Sequence, residues 1–190
     1  MTLYSLILFA HVTAVLSMFA ALGIEALSLF HLRRVATLTE ARRWIEPVPH
    51  LPLVAMGSLL FIFFSGIYLA MQMAVLHSAW PRVTVGAILL IGPLGALAGK
   101  RMRAIRLACT EAKAINSDLI RRLQDPFLKI SLGIRIAVFL GIVLLMSAKP
   151  ELWESISIVG ISVVLGFLSS LLVWRRSGSL STPRSDLGIK

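Results

Sequence analysis

Two side chains of opposite charge interrupt long apolar stretches of this chain, and a histidine stands inside a third polar position. Glu25 falls within FAALGIEALSLFHLRR (residues 19–34) and Arg135 within FLKISLGIRIAVFLGIVLLM (residues 127–146). A lone carboxylate or guanidinium in hydrocarbon costs at least about 2 to 3 kcal/mol, which pairing reduces. At 1.5 Å per residue, Glu25 lies about 10 Å before the inner end of its helix, and Arg135 lies about 10 Å into its own from the same side. Equal depth and opposite sign predict an intramembrane Glu25–Arg135 ion pair joining the first and fourth spans. The alternative has Arg135 snorkelling to the inner headgroups while Glu25 holds a proton.

Glu25 belongs to a seam of small and polar residues, His11, Ala14, Met18, Ala21, Glu25 and Ser28, spaced alternately by three and four. In lipid such a face is the one presented to neighbouring helices, because acyl tails solvate apolar side chains equally well elsewhere. A second seam, Ser58, Phe61, Ser65, Tyr68 and Gln72, has its polar end toward the outer half, where His11 also lies. His11 is therefore expected to hydrogen-bond to Tyr68 or Gln72 as a packing residue. A b-type haem needs two axial ligands facing each other at one level. His31 and His50 sit at the inner boundary and His77 at the outer one, so no histidine shares the level of His11. No resident cofactor is expected; haem b or a metal at His11 is the alternative.

Further chemistry is sparse. The single cysteine, Cys109, excludes an intrachain disulfide and a Cys-based metal cluster. No Gly-rich phosphate loop, H-E-x-x-H, G-x-S-x-G or paired-Cys motif occurs, so no enzymatic activity is expected.

The elements that must position these groups follow from composition. Of 190 residues 57% are hydrophobic and 15% charged, and the mean hydropathy is +0.87, outside the range of soluble domains. The fold class is an all-α polytopic membrane bundle of five transmembrane helices, at about residues 3–30, 51–79, 83–99, 128–148 and 155–174. The third is the shortest, and Gly92-Pro93 interrupts it. The formal charge of +10 does not signal a nucleic-acid partner here, because its placement follows the membrane. With five crossings, sixteen of the nineteen Lys and Arg residues fall on one side. The positive-inside bias makes that side the cytoplasm, so the N-terminus faces out and the C-terminus in.

Trp44, Trp80, Trp153 and Trp174 fall at or near span ends, where an indole prefers the headgroup region. Pro52, Pro81, Pro126 and Pro150 sit at or just before helix starts, and Asp125-Pro126 reads as an N-cap and first-turn proline. Met1-Thr2-Leu3-Tyr4 lacks a basic n-region, so the first helix is expected to be retained. Residues 100–127 form a cytoplasmic basic amphipathic segment that extends the third helix, breaks near Asn116-Ser117-Asp118 and lies along the inner leaflet. Residues 175–190 are expected to be a disordered cytoplasmic tail. Gly166, between Ser162 and Ser170 on the last helix, continues a small-xxx-small run suited to helix packing.

The stretches FAHVTAV, FAALGIEAL, EARRW, SGIYLA, DPFLKISLGIR and LGIVLLMSAKPEL together resemble an uncharacterised family of bacterial multi-pass integral membrane proteins, over nearly the whole chain. That resemblance implies a small bundle of the bacterial inner membrane. A fainter similarity, confined to the first-helix histidine and the short bundle, reaches the copper-resistance-D-like membrane proteins and implies metal or haem handling. Two function classes are expected on these grounds. One is a non-enzymatic accessory, assembly or self-associating bundle, with the lipid bilayer, itself or other membrane proteins as partners. The other is a small transporter or redox carrier using Glu25 and His11.

Overall fold

The computed structural model describes residues 2–33, 35, 37–45, 50–112 and 117–178, with the backbone alone at 117–118 and 173–178. Among these residues are seven helices and no strand: α1 (Leu3–Leu32), α2 (Leu38–Ile45), α3 (Leu51–Gln72), α4 (Ala79–Glu111), α5 (Ser117–Leu123), α6 (Pro126–Ala148) and α7 (Leu152–Gly178). Five, namely α1, α3, α4, α6 and α7, are long and apolar enough to cross a membrane.

Local chemistry sets their ends. Thr2 Oγ1 accepts from Ser5 N to start α1, and Asp125 accepts from Phe127 N at 2.9 Å to start α6, with Pro126 in its first turn. The second span stops at Gln72 rather than 79. Ala74 takes a left-handed backbone (φ 53°), its N–H bonds to Met71 O, and Val75 N bonds to Ala70 O. That is a Schellman closure built on an alanine, at a cost of about 1–2 kcal/mol relative to the right-handed region. Apolar run length carries no trace of such a reversal. Lys149 (φ 49°) closes α6 in the same backbone region.

The third span departs furthest from expectation. Instead of residues 83–99, α4 runs over 33 residues, or about 50 Å at 1.5 Å each. Gly92-Pro93 does not interrupt it. Pro93 removes one backbone donor on an exposed face of the helix, a loss that apolar helices tolerate when their neighbours hold them in place. The break in the basic segment falls at Ala112, whose backbone is extended (ψ 136°). Ser117 and Asp118 belong to α5, and Asn116 lies outside the described residues. Residues 175–178 continue α7 as helix rather than beginning a tail; 179–190 lie outside the described residues.

A short helix, α2, appears where only a basic loop was expected. Leu38, Ala41 and Ile45 recur at helical spacing, and Ala41 and Ile45 are buried against the bundle end. Arg42 of α2 then caps the last turn of α4: its Nε donates to Cys109 O (3.1 Å) and its Nη2 to Thr110 O (3.2 Å) and Ala112 O (3.0 Å). A cation among unpaired terminal carbonyls is favoured both by hydrogen bonding and by the helix dipole. Arg33 acts likewise at the end of α5, donating to Gln124 O (3.0 Å) and Asp125 O (3.2 Å). Burial lowers the pKa of the Arg33 guanidinium from its ordinary value, and the Asp125 carboxylate opposes that shift.

The helices assemble as two groups. In one, α1 packs along α3; in the other, α6 packs on α7 and on α4; α3 packs on α4 to join the two, while contacts between α1 and α6 are few. The α6–α7 seam is the tightest. A Cβ built on Gly166 would sit 2.7 Å from Gly133 O and 2.7 Å from Ile134 Cα, and one on Gly141 would collide with Ser162 Oγ. Ser170 Oγ, bonded to Gly166 O at 2.8 Å, also lies 3.3 Å from Lys129 O across the seam. Polar side chains turn inward (Ser28, Ser65, Thr84, Ser131, Ser155, Ser162 and Ser170 are buried), whereas Phe9 is 71% exposed and Leu53 70%.

Candidate functional sites

The inner site begins with α6. Ser131 and Arg135, one turn apart, both face inward; Ser131 Oγ donates to Leu94 O (3.3 Å) of α4, which brings the two helices close at this level. Gly95, one residue further along α4, lies beside the Arg135 side chain: a Cβ there would be in ordinary contact with Arg135 Cδ (3.5 Å) and Nη1 (3.7 Å). The guanidinium reaches past α4 to α1, where Nη2 lies 2.5 Å from Glu25 Oε1. The side chains are 5% and 17% exposed, respectively. Arg135 Nε has no partner and is sealed from solvent.

This contact joins α1 to α6, two helices whose other contacts are few. The pair borders a cavity of about 260 Å³ between α1, α3 and α4. Gly92, Gly95 and Gly99 open the α4 wall, Met18, Pro52, Met56 and Leu59 line the rest, and Lys100, Arg103 and Arg106 stand on its other margin. One carboxylate thus shares the cavity with four cations. Elsewhere on α4, Arg101 pairs with Asp125 (2.7 Å) and stacks over Phe127, 4.1 Å from the ring centroid. The glycine stripe and the Lys100-to-Arg106 margin were legible only as packing residues and positive-inside charge; a signal existed in their shared helical face.

The outer site is built on His11. Its Nδ1 lies 2.7 Å from Ser65 Oγ of α3, so its partner is neither Tyr68 nor Gln72. Gln72 is exposed and Tyr68 only half-buried, because α3 docks on α1 with the Ser65 position turned inward. Gly66, beside it, lets the ring sit close: a Cβ there would be 3.5 Å from His11 Cε1. Ser65 Oγ is itself 2.5 Å from Phe61 O. A second cavity, about 330 Å³, opens beside the ring; its walls include Ile62, Phe63, Ile67, Ile88 and Met146, with Trp80, Arg82 and Lys149 toward the other end of the lining. Thr84 also lines it, and its Oγ1 is buried without a partner.

Other histidines are placed elsewhere. His31 stacks on Trp44 (centroids 3.8 Å apart, planes 14°) and its Nδ1 bonds Leu27 O at 2.9 Å. No second histidine borders the outer cavity, so the two-histidine arrangement of a membrane b-type haem is not met at His11. Among the described residues no three His, Cys, Asp or Glu side chains gather where they could hold a metal ion.

No family model, curated protein or solved structure matches this chain, so its functional reading rests on the fold and these two sites.

Proposed function

We propose that the chain is a multi-pass protein of the bacterial inner membrane, N-terminus outside and C-terminus in the cytoplasm, acting as a non-enzymatic accessory or assembly bundle. The Glu25–Arg135 contact is its latch. Support for insertion comes from five long apolar helices whose polar side chains turn inward while large apolar ones face out, the distribution lipid requires. Support for orientation comes from charge: the end of α1, the end of α4, α5 and the start of α6 carry Arg33, Lys100, Arg101, Arg103, Arg106, Arg121, Arg122 and Lys129. A green fluorescent protein fused after Lys190 should fluoresce, and alkaline phosphatase fused there should be inactive. The reverse pattern would invert the topology.

The observation that carries the reading is the buried ion pair joining α1 to α6, two helices whose other contacts are few. Opposite charges in a low-dielectric interior favour one register of the two helices that carry them. The charged cavity favours a second reading, a carrier whose anionic cargo exchanges with Glu25 for Arg135 and whose entry is lined by Lys100, Arg103 and Arg106. Glu25→Gln separates the two. A latch loses stability, and with it the proteins that copurify in mild detergent. A carrier variant would keep wild-type stability yet lose proton-linked anion flux in proteoliposomes, and that result would displace the accessory reading.

A further inference from the structure

The outer cavity has polar chemistry that the bundle itself does not use. Ser65 Oγ carries one proton, and its 2.5 Å approach to Phe61 O commits that proton to the carbonyl. The Ser65 oxygen must then accept from His11, whose Nδ1 at 2.7 Å is the donor. In a neutral imidazole with its proton on Nδ1, Nε2 holds a free lone pair. No partner for Nε2 exists among the described residues, and unlike Thr84 Oγ1 it is not sealed off from the cavity. Thr84 also lines the cavity, but its hydroxyl oxygen, though without a partner, is sealed from it. An unpartnered polar atom in such a place costs about 1–3 kcal/mol, which a ligand group of matching polarity would offset.

We infer that this cavity binds a lipophilic aromatic molecule bearing a free hydroxyl group, of the phenol or quinol class. Its O–H donates to His11 Nε2. The space, about 330 Å³, suits one aromatic ring with a short substituent and lies at the small end of ligand cavities. Phe63, Ile88 and Met146 supply apolar and sulfur contacts for a ring. At His11 itself an anion is a poor fit, because the acceptor would face it lone pair to lone pair; Arg82 and Lys149 also line the cavity. This site is independent of the Glu25–Arg135 latch.

The test compares two probes that differ by one donor, 4-hexylphenol and its methyl ether 4-hexylanisole, with the full-length protein in lipid nanodiscs and saturable binding measured by equilibrium dialysis. The wild-type protein is expected to bind the phenol about tenfold more tightly than the ether. His11→Phe should erase that preference. Gly66→Val, whose added methyls enter the cavity beside the ring, should exclude both probes. Equal affinity of wild type for the two probes, or no saturable phenol binding at all, overturns the proposal without reference to any variant. A folded His11→Phe protein that still prefers the phenol overturns it as well.

Discussion

Glu25→Leu is expected to destabilise the bundle by about 3 kcal/mol, because it leaves the Arg135 guanidinium buried among apolar helices with no counter-charge. Arg135 is 4% exposed and its Nε is already without a partner, so loss of the Glu25 oxygen would strand a second nitrogen of the same group. Surface ion pairs are worth far less, about 0–1 kcal/mol, and a result in that range would mean that Arg135 snorkels to water. The exchanged protein, Glu25→Arg with Arg135→Glu, should regain most of the loss, since sign matters less than neutrality at this depth. Glu25→Leu with Arg135→Leu should also lie close to wild type, as removing both charges ends the desolvation cost. Unfolding in mixed detergent micelles measures all three variants against wild type and the corresponding single substitutions. Strictly additive losses in either double variant are incompatible with a coupled pair.

Gly166→Ala should damage the protein almost as much by a different route. The new methyl would lie 2.7 Å from Gly133 O and from Ile134 Cα, and both are backbone atoms that cannot rotate aside. Overpacking of this kind costs about 1–3 kcal/mol, and the upper end applies because α6 must move as a body. Ser170→Ala, by comparison, removes one hydroxyl contact at 3.3 Å with Lys129 O, and interhelical hydrogen bonds in membranes average about 0.6 kcal/mol. The steric term therefore dominates the seam. Gly160→Ala on the same helix is the control, with nothing within 4 Å of its added carbon; it should be neutral or slightly stabilising. Equal unfolding midpoints for Gly160→Ala and Gly166→Ala would refute the close approach.

The elements differ in how far they can be read from the chain. Long apolar runs without charge demand helices, since in lipid every backbone polar group must be satisfied within its own segment. Ends are less legible. The stop of α3 at Gln72 depends on a left-handed alanine, and the passage of α4 through Pro93 depends on neighbours that hold it straight. Helix α2 carried a usable signal in Leu38, Ala41, Trp44 and Ile45, hidden by the arginines among them.

The chain by itself determined depth. Counting residues at a fixed rise put Glu25 and Arg135 level and placed His11 in the opposite half, because distance along a helix is linear in sequence. Only the tertiary structure decided azimuth and neighbourhood: that Arg135 passes Gly95 to reach Glu25, that Ser65 rather than Tyr68 or Gln72 meets His11, and that Gly133 faces Gly166. Rotating a helix about its axis leaves the depth of every residue unchanged. Its rotation is selected by steric fit against partners far away in the chain.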